Sequence, residues 1–99
     1  MTDPRYLKTP FFHRRTAGFE LLAETANWEI WTCEGPTFQH DYDQGVTLCV
    51  ERGTAVVNFA DGNRVDLQPG DALTIAQGAS AVWLIGAPIQ NRYAYHRAA

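Results

Sequence analysis

The segment Leu67–Trp83, LQPGDALTIAQGASAVW, restricts the fold more than any other part of this 99-residue chain. Pro69 fixes φ and Gly70 accepts backbone angles that other residues avoid, so PGD marks a tight turn. Ala72–Ile75 then supplies a short apolar run, Gly78 turns the chain again, and Ala81–Ile85 restarts an apolar strand containing Trp83. Two strands in so short a stretch leave no room for a helix between them.

A period of two runs through most of the rest. Trp28–Cys33 sets Trp28, Ile30 and Thr32 against Glu29, Trp31 and Cys33, which reads as a strand. Gly18–Leu22 is also read as a strand, and Ala23–Asn27, too short for a stable helix, as a loop. Phe38–Tyr42, Val46–Glu51, Thr54–Phe59, Asn63–Leu67 and Ile89–His96 are the remaining strands. Asp61-Gly62, lying between two of them, is a strong hairpin signal because it accepts positive φ. About eight or nine short strands with no amphipathic helix predict an all-β antiparallel barrel or sandwich.

Composition narrows the function. The chain is 45% hydrophobic and 19% charged, which excludes disorder and describes one domain with a single core. Such a core has little margin, and oligomerisation would help it. The net charge is −3, and the basic residues are scattered apart from Arg14 and Arg15, so no nucleic-acid footprint exists. The start lacks the apolar region of an export signal, and no run reaches the roughly 18 apolar residues of a membrane helix. A cytoplasmic protein with no membrane partner is expected. Cys33 and Cys49 are then reduced packing thiols.

The order Trp31, Cys33, Gly35, Phe38, Tyr42, followed by VERG at 50–53, PGDALTIAQG at 69–78 and Trp83, resembles the cupin superfamily. It is most similar to the small ureidoglycine aminohydrolase-like cupins of the DUF861/Cupin_3 type. The resemblance implies a single-domain cupin double-stranded β-helix, a jelly-roll barrel, spanning residues 16–99. Residues 1–15 are read as an N-terminal arm, solvated or set at the interface of a homodimer. Arg14 and Arg15, beside Phe11 and Phe12, belong to that arm.

Metal-binding cupins carry two His and a Glu in a first motif and another His after the glycine of the second. Counting from Gly53 and Gly78 puts His40, Tyr42, Val46 and Ala81 at those positions, so one ligand of four survives. No metal and no cofactor are expected. Sliding the register by one offers Asp41 and Asp43, and a displaced set drawn from His40, Asp41, Asp43 and Gln77 is the remaining route to a metal. The resemblance implies a pocket formed by His40, Tyr42, Val46, Gln77, Ala81 and Trp83.

Three functions follow from these residues. A metal-free small-molecule-binding or accessory protein is preferred. A metal-independent isomerase or hydrolase acting on a sugar or ureide, with His40 and Tyr42 as base and acid, is the alternative. The third is the displaced-ligand metal cupin. Against a catalytic His40 stands a rim His40 bonded to Asp41 or Asp43. Trp28, Trp31, Tyr93 and Tyr95 are read as core or interface residues, and Asp71 as a cap of the PGD turn.

Overall fold

A computed structural model describes residues 3–96; residues 1, 2 and 97–99, the outer ends of the expected arm and domain, lie outside it. Among the described residues eight strands form one antiparallel sheet. They are β1 (Leu7–Lys8), β2 (Phe12–Thr16), β3 (Glu29–Cys33), β4 (Thr37–Asp41), β5 (Val46–Phe59), β6 (Arg64–Leu67), β7 (Asp71–Ile75) and β8 (Ser80–Tyr95).

Two long strands organise the rest. The first half of β5 pairs with β7, which continues to β2 and β1, and its second half pairs with β6. β8 runs beside β5 along its whole length, offering its first half to β4 and its second half to β3. Each long strand therefore belongs to two layers, the bent, wrapped arrangement of a jelly-roll barrel. Sequence reading divided both strands in two. Gly53 and the Gly86–Pro88 stretch read in the sequence as strand ends, whereas the pairing passes through them with register shifts between Val50 and Ala55. The glycines serve as bends inside a strand.

The reason is steric. Gly53 has φ +85°, and a Cβ built on it would lie 2.1 Å from the Pro88 carbonyl oxygen. Only a residue without Cβ lets β5 and β8 cross so closely. The Asp61-Gly62 hairpin closes as read, Phe59 N donating to Asn63 O at 2.8 Å and Asn63 N to Asp61 Oδ1 at 2.9 Å. In the PGD turn Asp71 N donates to Gln68 O at 3.1 Å, with Pro69 and Gly70 at the corner and Gly70 at φ +93°. These are the residues a type II turn requires.

Two expectations are corrected. Gly18–Leu22 is no strand, and Ala23–Asn27 is no simple loop. Phe19–Glu24 is a short helix, α1, which runs into a 3₁₀ turn at Thr25–Asn27. Tertiary contact decides this, since Leu21 and Trp28 cover a small cluster of Ala17, Cys49 and Ala72 on the outside of the sheet. The second correction concerns Arg14, which is buried and not solvated. Its Nη1 donates to Asp66 Oδ1 at 2.8 Å and Asp66 O at 3.0 Å, and Phe12 on the same strand enters the main core. The boundary placed after residue 15 falls inside β2, which pairs with β7 of the same chain. Arg15 donates to Thr74 Oγ1 at 3.1 Å.

Asp71 does cap its turn, accepting from Gln68 N at 3.0 Å, and it also receives Arg5 through Nε at 3.0 Å and Nη2 at 2.5 Å. Both cysteines are free thiols. Burial pushes Cys49 up to about 11, so it stays protonated and packs. Among the described residues no helix is long and apolar enough to cross a membrane.

Candidate functional site

β4 carries alternating Phe38 and His40 toward the interior, and β8 faces them in register, Trp83 opposite Phe38 and Ala81 opposite His40. Tyr42 follows directly. Its N–H donates to Ala79 O and its carbonyl accepts from Gly78 N, both at 2.7 Å, which fixes the ring relative to β8. The Trp83 indole Nε1 then donates to the Tyr42 hydroxyl oxygen at 3.0 Å in a buried contact.

These side chains line a cavity of about 180 Å³. The structure brings His40, Tyr42, Val46 and Trp83 together there. The His40 ring meets Tyr42 edge to face with centroids 4.6 Å apart and stacks beside Phe38 at 5.8 Å. Among the described residues His40 has no side-chain hydrogen bond to Asp41 or Asp43, both exposed, so the rim arrangement with a carboxylate partner is not adopted.

Two expected pocket members lie elsewhere. Ala81 is buried in the core beside the cavity, and its methyl does not form the wall. Gln77 lines a separate, larger cleft together with Asp43, His13 and His96. The turn at Gly78 carries it to that side, so the displaced set of His40, Asp41, Asp43 and Gln77 does not converge.

Sequence reading also missed part of the wall. Trp31, Tyr93 and Tyr95, assigned to core or interface, line this cavity with Leu48 and Asn91. Trp31 and Tyr93 also pack against the main core, and Trp28 packs against the smaller cluster. Asn91 is the informative omission, being 1% exposed with a buried Oδ1 that has no donor among the described residues. It shares parity on β8 with Ile89 and Tyr93, and a carboxamide on an otherwise apolar face was the signal available.

Electrostatically the cavity is quiet. Burial pushes the Tyr42 phenol up to about 12, and the Trp83 hydrogen bond opposes this only partly, so Tyr42 is a neutral hydroxyl at neutral pH. Because the unfolded phenol ionises near 10 and the folded one about two units higher, the contribution of Tyr42 is present below pH 10. It is lost as the pH climbs to 12, a fall of about 3 kcal/mol. Urea midpoints at pH 8 and pH 11.5 measure this fall. It shrinks in Tyr42→Phe, which is itself less stable at pH 8 because the Trp83 N–H loses its acceptor.

The metal positions of the superfamily hold His40, a phenol kept neutral, Val46 and Ala81. One imidazole with no carboxylate beside it does not fit a transition metal, which takes at least three protein ligands in one cavity. No group of three His, Cys, Asp or Glu able to hold a metal is found among the described residues.

Wrapped sheets around an aromatic cavity are the architecture of a cupin. The chain belongs to the EutQ-like cupin domain family, whose model matches residues 21–93. A DUF861 family protein from Thermotoga maritima is similar at 25% identity and a TM-score of 0.81, over 86% of this chain and 99% of that one. The Clostridium difficile EutQ protein shares the fold at 19% identity and a TM-score of 0.62, over 93% and 75%. A DUF1255 protein from Acidithiobacillus ferrooxidans does so at 15% and 0.67, over 91% and 83%. No curated protein matches the chain. The family establishes the fold and assigns no particular reaction.

Proposed function

We propose that this cupin binds a small molecule in the cavity of His40, Tyr42, Val46 and Trp83, without a metal. The observation that carries the reading is Asn91, which lines this aromatic-walled cavity and whose buried Oδ1 has no donor among the described residues. Small-molecule sites combine apolar walls with a few placed polar groups, and the neutral Tyr42 hydroxyl and His40 imidazole supply the others.

A thermal-shift screen of small acids, sugars, amides and ureides tests it. At least one compound raises the melting temperature, and the shift disappears in His40→Ala. A screen without any response, or shifts that survive both His40→Ala and Tyr42→Phe, would overturn the reading. Stoichiometric zinc, iron, manganese or nickel in the purified protein would overturn its metal-free part.

One observation favours the acid/base alternative, namely that His40 and Tyr42 stand side by side on the cavity wall. His40 would accept a substrate proton and Tyr42 would hydrogen-bond the group that gains charge. A phenol at about 12 holds its proton too firmly to be a ready acid at neutral pH, so binding is the reading we prefer.

A further inference from the structure

The cavity also carries information about what it accepts. We infer that its ligand is a neutral, single-ring molecule bearing an N–H or O–H donor beside an acceptor, the donor directed to Asn91 Oδ1 and the acceptor to the Tyr42 hydroxyl. This rests on the binding reading above and deepens it.

Size comes first. An apolar cavity of roughly 150 Å³ accommodates benzene, so about 180 Å³ matches one ring with a short substituent better than a fused pair of rings. Shape comes next. Trp31, Phe38 and Tyr93 offer ring faces and edges, which favour a flat partner through offset or edge-to-face contact.

Hydrogen-bonding capacity then sets polarity. Asn91 Oδ1 is an acceptor shut away from solvent with no donor, and a ligand N–H or O–H supplies what the protein does not. The Tyr42 oxygen already accepts from Trp83, which leaves its proton free to be donated. Asn91 Oδ1 is thus the acceptor left without a donor among the described residues and the Tyr42 hydroxyl a donor still to be used, beside the His40 imidazole.

The same inventory disfavours charge. Among the described residues no Asp, Glu, Lys or Arg lines the cavity, and a buried ion without a counter-charge is strongly disfavoured. His40 is the one group that could pair with an anion, and the experiment separates that case.

Calorimetric titration of the full chain at pH 8 with toluene, benzamide, benzoate, benzylamine and 1-naphthamide reads each element. Benzamide binds at least tenfold more tightly than toluene, while benzoate, benzylamine and 1-naphthamide bind more weakly than benzamide. Asn91→Leu, close in volume, lowers benzamide to the affinity of toluene and leaves toluene unchanged. Equal affinity for toluene and benzamide, or preference for benzoate, would overturn the assignment of a neutral donor-bearing ligand while leaving small-molecule binding intact. An unchanged benzamide affinity in Asn91→Leu would also overturn it. If none of the five binds the native chain but another compound from the thermal-shift screen does so in a His40-dependent manner, the ligand class alone fails. If nothing binds in either experiment, both readings fail. The ranking on the native chain decides the matter even where Asn91→Leu does not fold.

Discussion

Gly53→Ala strongly destabilises the folded state. The substituted Cβ would sit 2.1 Å from Pro88 O and 2.6 Å from Ile89 Cα, and the backbone at φ +85° is itself unfavourable for alanine. Relief requires β5 and β8 to separate where they cross. That separation would undo the long pairing on which both layers depend, because the atoms in the way are backbone and cannot rotate aside. The cost is on the order of 4 kcal/mol or more, a large share of the 5–15 kcal/mol that stabilises an ordinary domain. Far-ultraviolet circular dichroism and urea unfolding check it. Gly18→Ala is the control, since a Cβ there meets nothing within 4 Å and the residue has φ −80°. A Gly53→Ala protein within 1 kcal/mol of the parent would refute the steric account of the bend.

The second large effect lies at Asp71. Its carboxylate is 1% exposed and joins three segments, the PGD turn through Gln68 N, β7 through its own backbone, and the N-terminal segment through Arg5. Asp71→Ala leaves the Arg5 guanidinium with only the exposed Asp66 carboxylate, and breaking one side of a buried pair costs about 3 kcal/mol. The loss is local in character. Amide hydrogen exchange in β1 and β2 should accelerate first, because Arg5 and Arg14 tie that edge of the sheet to Asp66 and Asp71. A double-mutant cycle with Arg5→Met isolates the pair, with a coupling above 1 kcal/mol expected and additivity counting against the clamp. Acid acts on the same contacts. Burial pushes Asp66 up, but Arg5 and Arg14 outweigh it and hold the carboxyl below its ordinary value. Its contribution is therefore present above the unfolded value near 4 and fades as the pH falls through the lower folded one.

Much of this was legible along the chain. The PGD turn, the Asp-Gly hairpin and the β4 alternation are local, set by φ preferences and by a period of two, and they stand in the structure as read. The grouping of His40, Tyr42, Val46 and Trp83 around one cavity is what the cupin resemblance implies once the motif is counted from Gly53 and Gly78. Failures occurred wherever a partner distant in sequence decided the outcome. Phe19–Glu24 is helical because Leu21 can then help cover Cys49 and Ala72, a contact that no window around Gly18 contains. Arg14 looked solvated until Asp66, fifty-two positions away, was brought beside it. Gln77 belongs to the pocket that the resemblance implies, and the turn at Gly78 delivers it to another cleft.

The sequence by itself determined the strand period, the turns, the cupin resemblance and the shortage of metal ligands, since these depend on residue type and spacing alone. Only the tertiary structure decided that two strands bend without breaking and that the N-terminal segment joins the sheet. It alone also revealed the buried Asn91 oxygen in a cavity walled by Trp31, Tyr93 and Tyr95. Those outcomes depend on close approach of backbones and on the solvent each atom loses, and neither exists until the strands have wrapped.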